Sequence, residues 1–306
     1  MLAFRRTFSM PELGVECAVN EYLHPGFRVR VERVRGMTYD EALVYPHVGF
    51  SGIGDRPRLD VVLRGDVRDT ENGTARWLGA GGFAIGRALD SLYMRMQSQD
   101  VLCLGIEWNL GTLGTSAPTG LPTGFLDARD REALTASAEA LLAGDEEGHG
   151  GPLERGSSIR IIADVLTRLR AAGLPFDAWR ARDIVAPVPE PYQKVARALG
   201  RALSRLDLRP GSRDLEAALG VSRRRVADLV ADFGARFGIN GGRDWRTMRD
   251  QWRRVMSVMA MSNPRARTED VARAVGYGSA NALCHACREA RLPSPGAVRG
   301  LLAGLL

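Results

Sequence analysis

The chain has 306 residues, 45% of them hydrophobic and 25% charged, with a formal net charge of +6. At ~100–200 residues per domain this predicts about two domains, and the composition excludes a disordered chain. No apolar run approaches the ~18 residues of a membrane helix, the first twelve residues show no signal peptide, and Cys17, Cys103, Cys284 and Cys287 are too few for a disulfide scaffold; a reducing cytoplasm is expected.

Residues 1 to about 125 read as strands and turns. Short apolar runs lie between Gly, Pro, Asn and Asp: FRVRVERV (27–34), RLDVVLRG (58–65), ARWLGAGGFAIG (75–86), LYMRMQ (92–97) and DVLCLGIEW (100–108). The first of these alternates, with Phe27, Val29 and Val31 on one face and arginines between them. Asn72-Gly73 within 69–75 is a hairpin signal. Many short strands at this spacing predict a β-barrel or sandwich.

The period then changes to that of helices. Residues 126–144 have an N-cap candidate in Asp127 and a stop at Gly144. Residues 156–173 put Ile159, Ile162, Ala163, Leu166 and Leu169 on one stripe and stop at Gly173, with Pro175 beyond. Ile161 and Val165 leave this helix apolar on a second side, which makes it the dimerisation candidate. IVAPVPEP (184–191) carries Pro187, Pro189 and Pro191, favours extended geometry and is the expected domain boundary.

Everything beyond Pro191 reads as helix. Residues 191–208 place Val195, Leu199, Leu203 and Leu206 on one face and Arg197, Arg201, Arg205 and Arg209 on the other. Residues 212–234 read as helix, turn, helix. Ser212 is the first cap, Leu215, Ala218 and Leu219 face inward, Gly220 is the turn and Ser222 the second cap. Val226, Val230 and Phe233 form the inner face of the second helix. A long helix over 243–262 follows, with Trp245, Met248, Trp252, Val255 and Met259 inward. The pattern then recurs over 267–290: Thr268 as cap, Val271, Ala272 and Val275 inside, Gly276 at the turn, Ser279 restarting a helix with Leu283 and Cys287 inside. One such unit is weak evidence, since many helical proteins hold one by chance; two joined by an amphipathic helix are specific.

Residues 191–306 resemble the DNA-binding domain of AraC/XylS-type bacterial transcription regulators. The first unit shows DLEAALGVSRRRVADLV. The second, VARAVGYGSANALCHACREARLPSPGAVR, matches more closely. Ala272, Gly276-Tyr277, Ser279, Leu283, Ser294-Pro295 and Arg299 fall where that family has its alanine, Gly-aromatic pair, serine, apolar anchor, Ser/Thr-Pro and final arginine. Cys287 stands where the family usually has phenylalanine, Leu292 where it has glycine, and Asp228 where an arginine is frequent. The loop at 234–242 is longer than the family norm. By order and type of elements, the N-terminal half is similar to the family's cupin-like barrel followed by two helices. The resemblance implies an α+β two-domain chain. Residues 1–183 would be a cupin-like sensor and dimerisation domain, 184–190 a Pro-rich linker, and 191–306 an all-α DNA-binding domain with two helix-turn-helix units.

In a helix-turn-helix the second helix enters the major groove and its N-terminal residues meet base edges. In the first unit these are Arg223, Arg224, Arg225, Ala227 and Asp228. Arg224 can fork onto guanine and Asp228 can accept from cytosine, while Arg223 and Arg225 suit phosphates. In the second unit they are Ala280, Asn281, Cys284, His285 and Arg288. Asn281 suits adenine, His285 a phosphate or guanine, and Arg288 the backbone. Ser222 and Ser279 are caps first and phosphate ligands only second. The blander alternative is a solvated polar helix face in each unit.

Other chemistry is thinly supported. Cys284 and Cys287 form a CxxC with no second pair, so core packing is expected rather than zinc. Gly79-Ala80-Gly81-Gly82 reads as a turn rather than a dinucleotide loop. His24, His47 and His149 are scattered, and the barrel lacks the His-x-His and Glu of a metal-binding cupin. No metal, cofactor or catalytic constellation is therefore expected, and the chain reads as a non-enzyme. Val29, Val31, Trp77, Phe83, Tyr93 and Trp108 are candidates to line a small-ligand pocket, with plain core the simpler alternative.

The reading is a cytoplasmic, sequence-specific DNA-binding regulator of bacterial type, with activator and repressor both open. Double-stranded DNA is the partner, homodimerisation is expected, and RNA polymerase and a small-molecule effector could join it. No membrane is involved. Two rivals stay open: a cupin-type enzyme with a helical regulatory half, and a protein-interaction module built on degenerate helix-turn-helix units. Charge supports the first reading. Residues 190–306 hold 21 basic and 11 acidic residues, a net +10, and residues 1–189 hold 21 and 25, a net −4. The basic excess lies with the helix-turn-helix units, as a DNA footprint requires. Of the basic residues only Lys194 is lysine, a bias that runs through both halves and fits a GC-rich coding sequence.

Overall fold

The structure is a computed structural model that describes residues 1–38, 40, 57–71, 74–87, 93–96, 99–109, 123–143, 152–174, 184, 188–239 and 244–302. The Asn72-Gly73 turn, Gly144, Pro175, Pro187, His47, His149 and residues 240–242 lie outside them. The chain pairs an N-terminal antiparallel β domain with a C-terminal helical domain.

Ten strands are described: β1 (Leu2–Met10), β2 (Val15–Leu23), β3 (Phe27–Arg35), β4 (Pro57–Arg64), β5 (Val67–Glu71), β6 (Thr74–Leu78), β7 (Gly82–Arg87), β8 (Tyr93–Met96), β9 (Asp100–Trp108) and β10 (Thr123–Phe125). Seven form one sheet in the order β1-β2-β3-β9-β4-β7-β10, and three form a second in the order β6-β5-β8. All pairs are antiparallel. The expected hairpin strands β5 and β6 pair, with Glu71 opposite Thr74. Gly79–Gly81 form a turn between β6 and β7, with Gly82 donating to the Gly79 carbonyl at 2.8 Å.

Side chains alternate across a strand, so the register sorts the large sheet into two faces. One face carries Phe27, Val29 and Val31 of β3, Leu59 and Val61 of β4, and Leu104, Ile106 and Trp108 of β9, all buried. Two helices cover it, α1 (Ala128–Ala143) and α2 (Pro152–Ala171), through Leu134, Leu141, Ile162, Val165, Leu166 and Leu169. Asp127 caps α1 as expected, accepting from Asp130 N–H at 2.7 Å. Gly173 ends α2 with positive φ. The second apolar side of α2 is spent internally. Val165 is fully buried in this core and Ile161 is half-buried against it.

The opposite face carries Phe4 and Phe8 of β1, Cys17 and Val19 of β2, Val34, Val62, Val101 and Cys103. It also carries a buried ladder of charge. Arg6 reaches Glu21 at 2.5 Å, Glu21 takes Arg28 at 3.1 Å, and Arg28 takes Glu107 at 2.5 Å. Arg58 pairs with Asp60, and Arg30 lies 3.9 Å from Asp60 and 3.8 Å from Glu32. The arginines that alternate with Val29 and Val31 thus face inward.

Two carboxyls of this ladder are driven in opposite directions. Burial raises the Glu32 pKa, and Glu21 and Asp60 add to the rise against the pull of Arg30 and Arg6. Burial alone would also raise Glu107, but Arg28, Arg30 and Arg58, with the Arg28 hydrogen bond, hold it below the usual carboxylate range. By linkage, the Glu107 contribution is present above the unfolded pKa and lost as pH falls through the folded one; the Glu32 contribution is present at low pH and lost as pH rises. Glu32→Gln is therefore expected to raise the melting temperature at pH 7 and to lose that advantage as pH falls through the raised folded value, with none left below ~4.3, the ordinary glutamate value. A lower melting temperature at pH 7 would show that Arg30 needs the Glu32 carboxylate.

The helical domain comprises α3 (Glu190–Ser204), α4 (Ser212–Leu219), α5 (Arg223–Phe237), α6 (Trp245–Met261), α7 (Thr268–Ala274), α8 (Ala280–Glu289) and α9 (Pro295–Leu302), with a 3-10 turn at Leu206–Leu208. α3 turns Val195, Leu199 and Leu203 inward as its spacing predicts. It lies directly on β1: a Cβ at Gly200 would sit 2.6 Å from the Arg5 carbonyl oxygen. Thr7 N–H donates to Ser204 Oγ at 3.0 Å, and Thr38 N–H to Ser262 Oγ at 2.7 Å. Asn263 Nδ2 donates to the Gly36 carbonyl at 2.7 Å. The apolar cluster of the inner sheet face continues without a break through α3, α5, α6, α7, α8 and α9. No described helix is long and apolar enough to cross a membrane.

Candidate nucleic-acid interface

The first unit is α4, a turn at Gly220 and α5. Gly220 N–H closes α4 onto the Glu216 carbonyl at 2.9 Å. The cap of α4 is Gly211 rather than Ser212; its N–H is taken by Asp214 Oδ2 at 2.6 Å. Leu215 is buried and Leu219 half-buried, but Ala218, expected inside, is exposed. Val226, Val230 and Phe233 seat α5 in the core, and Phe233 meets Phe4 of β1 edge-on at 5.8 Å. Helical geometry then turns the other face outward. Arg223, Arg224, Arg225, Ala227 and Asp228 are all exposed. Among the described residues, none of the three guanidiniums meets a carboxylate at ion-pair distance. Ser222 stands at the N-cap with extended backbone, and its side chain makes no capping bond.

The second unit is α7, a turn at Gly276 and α8. Val271, Ala272 and Val275 are fully buried, and the cap of α7 is Arg267, one residue before the expected Thr268. Ser279 caps α8, its Oγ accepting from Ala282 N–H at 3.2 Å. Leu283 and Cys287 anchor α8 inward, while Asn281, His285 and Arg288 are exposed and Ala280 and Cys284 half-buried. Glu269 of α7 accepts from Ala280 N–H at 3.1 Å, so a carboxylate already occupies part of the α8 N-terminus. His285 Nδ1 lies 3.5 Å from Glu289. Burial, with Cys284 nearby, pushes the Cys287 thiol up to about 11, the state of a packed thiol rather than a reactive one.

Sequence reasoning missed the residues that hold the units in place. On α6, capped by Asp244 through Thr247 N–H at 2.9 Å, Arg249 donates to the Pro210 carbonyl at 3.1 Å. Arg253 donates to the Val275 carbonyl at 2.7 Å and stacks 3.8 Å from the centre of the Tyr277 ring. Trp252 Nε1 donates to the Leu203 carbonyl at 3.0 Å, and Arg6 lies 4.8 Å over its ring.

Four of the six pocket candidates come together, as core. Val29, Val31 and Trp108 are core beneath α1 and α2, with Phe83 packed at its margin. Trp77 is 62% exposed on the second sheet. Tyr93 lies on β8, and its side chain is outside the described set. His24 accepts from Gly26 N–H at 3.1 Å, and burial, with the chain's N-terminal amine, lowers it to about 4. Among the described residues no three His, Cys, Asp or Glu side chains cluster as a metal site.

No family model matches the chain, and no curated protein does. Among solved structures it is similar to ToxT from Vibrio cholerae O395, at 10% identity over 92% of this chain and 100% of that one, with a TM-score of 0.36. It is also similar to the AraC-like transcriptional activator CuxR, at 14% identity over 72% and 76% of the two chains, TM-score 0.32. A shorter likeness is to protein Ylba from E. coli, at 16% identity over 38% and 47%, TM-score 0.26.

Proposed function

We propose that the chain is a sequence-specific DNA-binding transcription regulator, with residues 1–183 as a sensor, 184–190 as a linker and 191–306 as the reader. The observation that supports it best is the three consecutive exposed arginines at the start of α5, free of carboxylates among the described residues, on a helix whose other face is core. Arginines left unpaired in this way are available to phosphate and guanine. In this reading Arg224 and Asp228 meet bases and Arg223 and Arg225 phosphates. Asn281 meets a base from α8, with His285 and Arg288 at the backbone. Ser222 and Ala280 stand where helix N-termini approach phosphate, and the Glu269 carboxylate would have to move for Ala280 to do so. A small molecule would act by biasing how the reader is presented. Dimerisation and contact with RNA polymerase belong to the same proposal.

Random-sequence selection with the full chain tests it, and a two-segment motif should emerge. Arg224→Ala should then cost ~1–3 kcal/mol of specific affinity and relax the preference at one position. Uniform, salt-sensitive binding with no motif would refute sequence-specific regulation, and unchanged affinity in Arg224→Ala would place the reading surface elsewhere.

A further inference from the structure

The 3-10 turn at Leu206–Leu208 precedes the first helix-turn-helix unit, yet it packs against the turn of the second. Gly276 is the point of contact. Its φ is +82°, and a Cβ there would lie 2.1 Å from the Leu206 carbonyl oxygen and 3.4 Å from Arg209 Cγ. Both the backbone conformation and the available space therefore require glycine. Arg209 adopts the left-handed conformation at φ 54°, uncommon for a side chain of this size. This carries its guanidinium along the Gly276–Gly278 segment, 3.5 Å from the Tyr277 carbonyl and within 4 Å of where a Cβ at Gly278 would be.

α6 closes the arrangement from the other side. Arg249 holds the segment leading into α4 by the Pro210 carbonyl, and Arg253, one turn on, holds the α7–α8 turn by the Val275 carbonyl. Asp250 lies between them, 2.8 Å from Arg249 and 3.6 Å from Arg253. Two carbonyls, one from the segment leading into the first unit and one from the second unit, are thus tied to adjacent turns of one helix, and that segment also touches the second unit directly through Leu206 and Gly276.

We infer that residues 206–210 form a strut, clamped by Arg249 and Arg253, that fixes the separation and orientation of the two reading helices, making Arg209, Arg249, Arg253 and Gly276 positioning residues for DNA spacing. The inference rests on the DNA-reading proposal above. A linker helix alone would let its ends bend and twist. The strut adds a second, independent connection, and two connections define a rigid body. Such preorganisation gains affinity for one spacing at the expense of all others. One inserted base pair rotates the second segment by about a tenth of a helical turn, which a rigid reader cannot follow.

The test uses the full chain and its selected two-segment site, with and without one base pair inserted between the segments. Wild-type protein should bind the inserted site about tenfold or more weaker, the scale of coupling within one network. In Gly276→Ala the preference should fall towards one, while base preferences within each segment persist. Arg253→Met, which keeps apolar bulk over Tyr277 but drops the bond to Val275, should lower the preference in the same direction if Gly276→Ala fails to fold. Failure of wild-type protein to enrich any motif removes the DNA reading and the inference with it. Specific binding by the wild type at one strict spacing that folded Arg253→Met or Gly276→Ala retains in full would overturn the strut alone. Equal wild-type binding to both spacings would overturn it too.

Discussion

Trp252→Ala is expected to destabilise the full chain by about 3–5 kcal/mol, the range for deleting a large aromatic side chain from a packed core. Three losses coincide there. Trp252 is only 3% exposed at the centre of α6, so its removal opens a cavity among Val255, Met256 and the inner face of α3. The Leu203 carbonyl loses its indole donor. The Arg6 guanidinium loses the ring it lies over. Trp252→Phe retains the ring face and gives up the hydrogen bond, so about 1–3 kcal/mol is expected. Urea unfolding of the full chain, followed by tryptophan fluorescence and far-ultraviolet circular dichroism, is the measurement. The inner sheet face and the helical domain share one core, so the two signals should move together in wild type and variants alike. Two separate transitions, only one of them moved by Trp252→Ala, would mean that the two halves unfold independently.

The two ends of this contact were not equally legible. The spacing of Trp245, Met248, Trp252, Val255 and Met259 predicts one buried helical stripe, and all five are buried. A periodic pattern reports that a face is covered but not by what, and the ring of Trp252 is met by a residue 246 positions earlier. That earlier strand was also masked by its own charge. β1 keeps Leu2, Phe4, Phe8 and Met10 buried, but Arg5-Arg6 at its centre breaks the alternation a strand is recognised by. The same ambiguity of faces explains the pocket candidates. The burial of Val29, Val31 and Trp108 follows from the sequence, whereas their lying under α1 and α2 depends on which elements close over each face. The reading helices fared better because amphipathicity is a local property. Val226, Val230 and Phe233 inward oblige Arg224 and Asp228 outward, whereas Arg223, three residues before Val226, is exposed because it stands at the helix start. Gly276 was legible as a turn, but not as the contact between the second unit and the segment leading into the first, which depends on a carbonyl 70 positions away.

Glu21→Ala should be nearly as costly as Trp252→Ala, for an electrostatic reason. Glu21 stands between Arg6 at 2.5 Å and Arg28 at 3.1 Å, and all three side chains are under 5% exposed. Removing one member of a buried ion pair leaves a charge in a poorly polarisable interior without the partner that offset its desolvation, at about 3–5 kcal/mol. Arg28 keeps Glu107 at 2.5 Å, so the main cost falls on Arg6. Burial already lowers the Arg6 pKa, and Glu21 is the foremost group opposing that fall. Arg6→Met removes the charge that has lost its nearest carboxylate while keeping length and apolar contact with Phe4 and Trp252. The double variant Arg6→Met/Glu21→Ala should therefore be more stable than Glu21→Ala alone, with a coupling of about 1–3 kcal/mol in the double-mutant cycle. A pair this deeply buried is screened little by salt, so the coupling should persist at 1 M sodium chloride, where the Debye length is ~3 Å. If Glu21→Ala costs less than about 1 kcal/mol, or the coupling vanishes in salt, the ladder behaves as a surface ion pair and water reaches the face where β1 meets the helical domain.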